Sequence, residues 1–133
     1  MKFLLPAIIL SASAAFAQDR VEDFRWKNRL LVFSESDEAT HEKLAAEKAE
    51  LAERDLEVFI LSGAGESAHP AGEKLAKDFR ELLAPPEDEP MAYLIGKDGR
   101  TTLKWKLADF TFAKLYAAID AMPMRRREMR EGD

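Results

Sequence analysis

Short apolar runs alternate along the chain with longer segments in which apolar residues recur at helical spacing. Residues 29–34 (RLLVFS) and 55–62 (DLEVFILS) are compact, apolar and rich in branched or aromatic side chains, which predicts two buried strands. Residues 39–54, between them, are rich in Ala, Glu, Lys and Leu and predict a helix. The first half of the chain therefore predicts a strand-helix-strand unit.

The second half continues the alternation. Pro70 is suited to the first turn of a helix that ends before Pro85, with an apolar stripe of Leu75, Phe79, Leu82 and Leu83. Residues 91–105 predict two strands joined at Asp98-Gly99, since Gly tolerates the positive φ of a tight turn. Asp109 is the predicted N-cap of a last helix with the stripe Phe112, Leu115, Tyr116, Ile119 and Met122.

The ends of the chain differ from this pattern. Residues 1–17 combine Lys2, an apolar run over residues 3–10 and a small-residue ending at Ala17, which is typical of a secretory signal peptide. The apolar run is shorter than a membrane span requires. Pro123 is expected to end the last helix, and residues 123–133 are predicted to be a charged tail. One domain over residues 18–122 remains between these segments.

The net charge and the absence of cysteine exclude several classes of function. The net charge is −5, so the domain as a whole does not attract nucleic acid or anionic membranes. The chain contains no cysteine, which excludes thiol redox chemistry, cysteine nucleophiles and thiolate metal sites. With the signal pattern, the sequence predicts export, into the periplasm of a Gram-negative host or otherwise by secretion, without a transmembrane anchor after signal removal.

The element order is β-α-β-α-β-β-α, with Pro90 directly before the third strand and KDG at the hairpin. This order resembles a thioredoxin-like fold: a single three-layer α/β domain with a mixed four-stranded sheet. Three segments, residues 24–33, 94–105 and 119–130, resemble exported bacterial proteins of the domain of unknown function 4174, over about residues 21–130. A distant peroxiredoxin-like ancestry is proposed for relatives of that family. The resemblance implies a fold and a compartment, and no activity.

The end of the first strand is where redox-active thioredoxin-like proteins carry their reactive thiol. Ser36 and Asp37 lie at this position, and serine is a weak nucleophile without an adjacent base. The acids suit a helix N-terminus, so a capped and solvated turn is the favoured interpretation. Pro90 aligns with the cis-proline of thioredoxins. A cis Glu89-Pro90 bond would shape a peptide-binding groove beside Ser36.

No pattern predicts a catalytic set, a metal or a cofactor. His41 and His69 lack neighbours at metal-ligand spacing and are assigned to surface structure. GAGES, residues 63–67, lacks the lysine and hydroxyl of a phosphate-binding loop. The acidic runs at residues 35–38 and 87–89 read as solvated loops.

Two basic patches are the candidate binding residues. One precedes the first strand and the other follows the last helix: Arg25, Trp26, Lys27 and Arg125, Arg126, Arg127, Arg130. Segregated arginines recognise carboxylates or phosphates by bidentate pairing. The alternatives are structural: the tail arginines pair within the chain, and Trp26 closes one end of the core.

The sequence therefore predicts an exported, non-catalytic binding or adaptor domain. Its partner is an envelope protein or an acidic or anionic ligand, and it has no cofactor. Two alternatives stay open: a structural component of an envelope complex, and a cofactor-free enzyme using carboxylates near Ser36 and Pro90.

Overall fold

A single mixed sheet organises the computed structural model, which describes residues 20–62 and 72–131. Its strands are β1 (Arg29–Phe33), β2 (Leu56–Ile60), β3 (Met91–Ile95) and β4 (Thr101–Lys106). They lie in the order β2-β1-β3-β4, with β1 parallel to β2 and antiparallel to β3, which is antiparallel to β4. The predicted mixed four-stranded sheet is confirmed, and its topology is consistent with a thioredoxin-like fold.

Burial distinguishes the central strands from the edge. All residues of β1 and β3 are buried, whereas β4 is mostly exposed. The predicted hairpin turn forms as the sequence indicates, with Gly99 at φ 86° and the Asp98 carboxylate accepting from the Arg100 N–H at 3.0 Å. This turn lies at the same end of the sheet as the start of β1, because Leu30 pairs with Ile95.

The helices cover both faces of the sheet. Their bounds are α1 (Glu38–Ala46), α2 (Lys48–Glu53), α3 (Glu73–Leu83), α4 (Phe112–Asp120) and α5 (Pro123–Glu131). On one face, α3 and a 3-10 turn at Val21–Phe24 enclose a core that includes Phe59 and Phe79. On the other face, α1, α2 and α4 enclose Leu31, Phe33 and Leu115. These are the three layers predicted from the sequence.

Two local predictions about helices need correction. The single helix predicted over residues 39–54 is two helices, which meet at Glu47. Thr111, not Asp109, caps α4: its side chain accepts from the Lys114 N–H, while Asp109 ends a short 3-10 turn. Both residue types are good caps, so the sequence alone did not select between neighbouring candidates.

Residues 123–131 are helical, whereas the sequence predicted a charged tail. As predicted, the preceding helix ends before Pro123, at Asp120, but Pro123 itself begins a further helix, α5. Proline is favourable in the first helical turn, where its missing N–H has no intrahelical acceptor to lose. Arg125 is buried on this helix, so α5 packs against the domain.

Several sequence predictions concern segments outside the described residues. They are the signal peptide at residues 1–17, GAGES at residues 63–67, and His69 with Pro70. Within the described ranges, no helix has the length and apolar character needed to cross a membrane.

Candidate binding surface

The end of β1 is closed by hydrogen bonds between neighbouring chain segments. The buried Ser34 hydroxyl accepts from the Met91 N–H at 2.8 Å, and the Ser62 hydroxyl donates to the Ser34 carbonyl at 2.9 Å. No peptide bond in the described ranges is cis, so the Glu89-Pro90 bond is trans. The groove predicted beside Ser36 therefore does not have the cis-proline on which the analogy to thioredoxins depends.

Ser36 and His41 contact each other, a pairing that the sequence analysis did not identify. Ser36 Oγ lies 3.0 Å from His41 Nε2, and both side chains are half-buried. Asp37 caps α1, accepting from both the hydroxyl and the N–H of Thr40, and these bonds lower the pKa of Asp37. A spacing of five residues across a helix start was the signal that could have suggested the Ser36–His41 pair.

The opposite end of the sheet, where β1 begins, holds a network of ionic groups. Arg29 is only 1% exposed, and its guanidinium binds both carboxylate oxygens of Glu128 at 3.2 and 3.3 Å. Lys97 Nζ donates to Glu128 at 2.7 Å and to Asp55 at 2.8 Å. Glu128 therefore joins α5 to the beginning of β1 and to the end of β3.

A second network joins α5 to α2 and α4. The Arg125 guanidinium binds one Asp120 oxygen at 3.1 Å and Glu53 at 2.9 Å, while the Arg54 guanidinium binds both Asp120 oxygens, at 3.2 and 3.0 Å. Arg54 also lies over the Tyr116 ring, 4.1 Å from its centroid. Arg125 thus follows the structural alternative, with its charge used inside the chain.

The bridging carboxylates are strongly favoured in their ionised forms. Burial by itself would raise the pKa of Glu128, but hydrogen bonds from Lys97 and Arg29 outweigh it and lower that pKa. Burial would likewise raise the pKa of Asp120, and the bonds from Arg54 and Arg125 lower it. Both acids therefore stay charged at neutral pH and compensate the buried arginines.

Lys97 brings together the two basic patches that lie about a hundred residues apart in the sequence. Its carbonyl accepts the Trp26 N–H at 2.7 Å, and its ammonium binds Glu128 of α5. The segment before β1 and the last helix therefore both lie at one end of the sheet, linked through Lys97. Ser36, Asp37 and Pro90 lie at the other end.

Trp26 projects from this end and does not close the core as the structural alternative proposed. It is 62% exposed and has φ 67°, in the left-handed region that non-glycine residues rarely adopt. The Arg25 guanidinium lies 5.8 Å from its ring centroid and donates to the Asp98 carbonyl. A large aromatic held in a strained, exposed conformation is the kind of outlier that accumulates at functional sites.

Exposed cations lie at the same end of the sheet as Trp26. We call this surface the basic face; it consists of Trp26 with Arg25, Lys27, Arg100, Arg126, Arg127 and Arg130. None of its six cations is paired with a carboxylate in the part of the chain that the structure describes. The sequence analysis missed Arg100, since only the fold places the hairpin turn beside Arg25.

A shallow cleft borders the basic face, with a volume of about 360 Å³. Its walls include Arg25, Arg100 and Leu82, together with three acids that bind groups of the chain itself. Asp78 accepts from the Val21 N–H, Asp98 accepts from the Arg100 N–H, and Glu22 pairs with Arg20. Among the described residues, Arg100 and the terminal nitrogens of Arg25 bind no carboxylate, so they keep donors for a ligand.

Comparison with known proteins identifies the family and no activity. The chain has a cysteine-free α/β domain, and its residues 20–128 match the family described as Domain of unknown function (DUF4174). The chain therefore belongs to this family. No curated protein and no solved structure matches it. Among the described residues, no group of acids and histidines is arranged to hold a metal ion.

Proposed function

We propose that the protein is a non-catalytic binding domain that recognises an anionic partner through the basic face. The observation that carries this proposal is the meeting of the two basic patches at Lys97, beside the exposed Trp26. Export to the periplasm or outside the cell belongs to the same proposal and is supported by the signal pattern of residues 1–17.

The distribution of paired and unpaired cations supports this function. Arg29, Arg54 and Arg125 are buried and bound to carboxylates, so their contribution is to stability. Among the described residues, the cations of the basic face have no carboxylate partner. An arginine without such a partner keeps its donors for a carboxylate or phosphate of another molecule. This end of the domain thus has an inner group of arginines that are paired within the chain and an outer group, the basic face, that is available for binding.

The test is binding to immobilised polyglutamate, a simple polyanion, by a matched pair of variants. One variant replaces Arg126, Arg127 and Arg130 by Ala. The other replaces three exposed lysines outside the basic face, Lys43, Lys104 and Lys106, and changes the net charge by the same amount. Loss of binding in the arginine variant alone supports the proposal. Equal binding by both variants, with unchanged circular dichroism, contradicts it.

The Ser36–His41 pair favours one alternative, a cofactor-free hydrolase at the other end of the sheet. A histidine 3.0 Å from a serine hydroxyl can act as the general base that serine requires. The acids Glu35, Asp37 and Glu38 surround the pair and oppose an anionic intermediate. Labelling with a fluorophosphonate probe tests this function: covalent modification of Ser36 that is lost in Ser36→Ala and in His41→Ala would establish it.

A further inference from the structure

The shape and composition of the basic face indicate which kind of anionic partner it suits. We propose that the basic face docks on an anionic lipid surface, with the Trp26 ring in the headgroup layer and the cations of the face over lipid phosphates. This inference rests on the proposed function, since it names the partner of the same surface.

The first argument is the arrangement of apolar groups. Protein interfaces have an apolar, desolvated centre surrounded by a polar rim. Three large hydrophobic side chains are exposed in the described parts of the chain: Trp26 on the basic face, Leu82 in the wall of the adjacent cleft, and Leu103 on β4. The exposed indole, with cations at the same end of the sheet, does not form such an apolar centre. It matches the amphipathic Trp side chains that settle at membrane interfaces.

The second argument is the separation of charge. The whole chain has a net charge of −5, and six cations lie on the basic face, so the rest of the chain carries a formal charge of −11. A negatively charged surface therefore attracts one end of the molecule and repels the remainder, which fixes the orientation of approach. Each Lys or Arg near an anionic bilayer strengthens binding by about fivefold.

The third argument is that the face comes from several elements and is held rigidly. Its cations come from the turn before β1, the β3–β4 turn and α5, and Lys97 connects the first of these to the last. The strained backbone at Trp26 is held by the N–H bond to the Lys97 carbonyl. Trp26 is therefore already presented to the lipid before binding, and little conformational entropy is lost on docking.

The experiment is co-sedimentation of the full chain with two kinds of vesicle. One is pure phosphatidylcholine, and the other contains equal parts of phosphatidylglycerol and phosphatidylcholine. The lipid affinity of Lys2 and the apolar residues 3–10 is the same in every variant, so differences between variants report on the basic face. We expect binding to the anionic vesicles to exceed binding to phosphatidylcholine and to fall as ionic strength rises from about 0.1 M to about 1 M, where the screening length shrinks from about 10 Å to about 3 Å.

Variants identify the surface responsible. Arg126/Arg127/Arg130→Ala is expected to weaken binding to the anionic vesicles by about tenfold or more, and Lys43/Lys104/Lys106→Ala to leave it unchanged. Brominated lipid is expected to quench Trp fluorescence in the wild type. This quenching should disappear in Trp26→Ala, in which Trp105 is the one tryptophan left, and persist in Trp105→Phe.

The outcomes separate this inference from the proposed function. Anionic vesicle binding that depends on the arginines and quenching that depends on Trp26 support the inference. Polyglutamate binding without excess binding to anionic vesicles overturns the lipid inference and leaves the binding function standing. Absence of arginine-dependent binding to both polyglutamate and anionic vesicles overturns the inference together with the function.

Discussion

Arg29, the first residue of the central strand, is bound through both terminal nitrogens by Glu128, which lies 99 residues further along the chain. Arg29 is almost fully buried, whereas Glu128 keeps 26% of its side-chain exposure. A buried arginine is tolerated when its charge is matched and its donors are occupied. Glu128 does both, while the Arg54 carbonyl accepts a further bond from Arg29 at 3.0 Å.

Replacement of Glu128 by Gln is therefore expected to destabilise the domain. It leaves the buried Arg29 and the largely buried Lys97 without their shared counter-charge. Breaking a fully buried pair costs about 3–5 kcal/mol. Because Glu128 is partly exposed, we expect a loss of about 2 kcal/mol in the free energy of unfolding, measured by urea denaturation. Glu131→Gln, the same change on the exposed end of α5, is the control and should have no measurable effect.

Acid is expected to weaken the same contacts. The pKa values of Glu128 and Asp120 are lowered in the folded state from ordinary values of 4.5 and 3.8. A group whose pKa is lowered by folding stabilises the fold at pH values above its ordinary pKa. This stabilisation is lost as the pH falls through the lowered pKa. The contribution of these two groups to the free energy of unfolding should therefore not change with pH near neutrality. Below about pH 4.5 it should decrease.

Denaturation at several pH values measures this dependence. A Glu128→Gln, Asp120→Asn double variant should be less stable at neutral pH and show a shallower decline in acid. A decline as steep as that of the wild type would assign the acid sensitivity to other carboxylates.

The backbone at Trp26 gives a separate prediction about strain. Glycine occupies φ 67° with little penalty, whereas alanine keeps the Cβ that makes this conformation unfavourable. Trp26→Gly should consequently be more stable than Trp26→Ala by about 0.5–1 kcal/mol, as measured by thermal or urea unfolding. Equal stability would indicate that the turn relaxes when the indole is removed.

Ala84 allows the cost of a positive φ at a non-glycine residue to be tested away from the basic face. It follows the last turn of α3 at φ 46°, a position where glycine is the preferred helix C-terminal residue. Ala84→Gly is expected to raise the free energy of unfolding by about 1 kcal/mol. Ala45→Gly, at an exposed position inside α1, should lower it by a similar amount. A loss in both variants would contradict the assignment of strain to Ala84.

The sequence predicted the elements whose pattern is local. Apolar runs identified the strands, and Asp98-Gly99 identified the hairpin turn, because burial and positive φ restrict which residues fit. The helix of residues 123–131 was missed because its stability comes from ion pairs with acids distant in sequence, such as Arg125 with Glu53. Its composition alone is that of a solvated segment.

The sequence predicted both basic patches of the candidate surface, but not that they lie at the same end of the fold. Arg25, Trp26 and the tail arginines were selected from local charge, but they are linked by Lys97, whose place in the hairpin motif KDG gave no indication of these contacts. The arginines selected from the sequence also differ in burial: Arg125 is buried, whereas Arg126 and Arg127 are exposed. Which arginine is buried depends on the side of α5 that packs against the domain. The sequence alone did not show which side that is.

The pairing of Arg29 with Glu128 affects how the chain behaves during its synthesis. Ribosomes add about 5–20 residues per second, so the 99 residues that separate the two take about 5–20 s to follow. Throughout that interval the first strand carries a cation whose burial is unfavourable, because its counter-charge has not yet been made. Early collapse around β1 is therefore disfavoured until Glu128 has been made, and we expect cooperative folding to require α5.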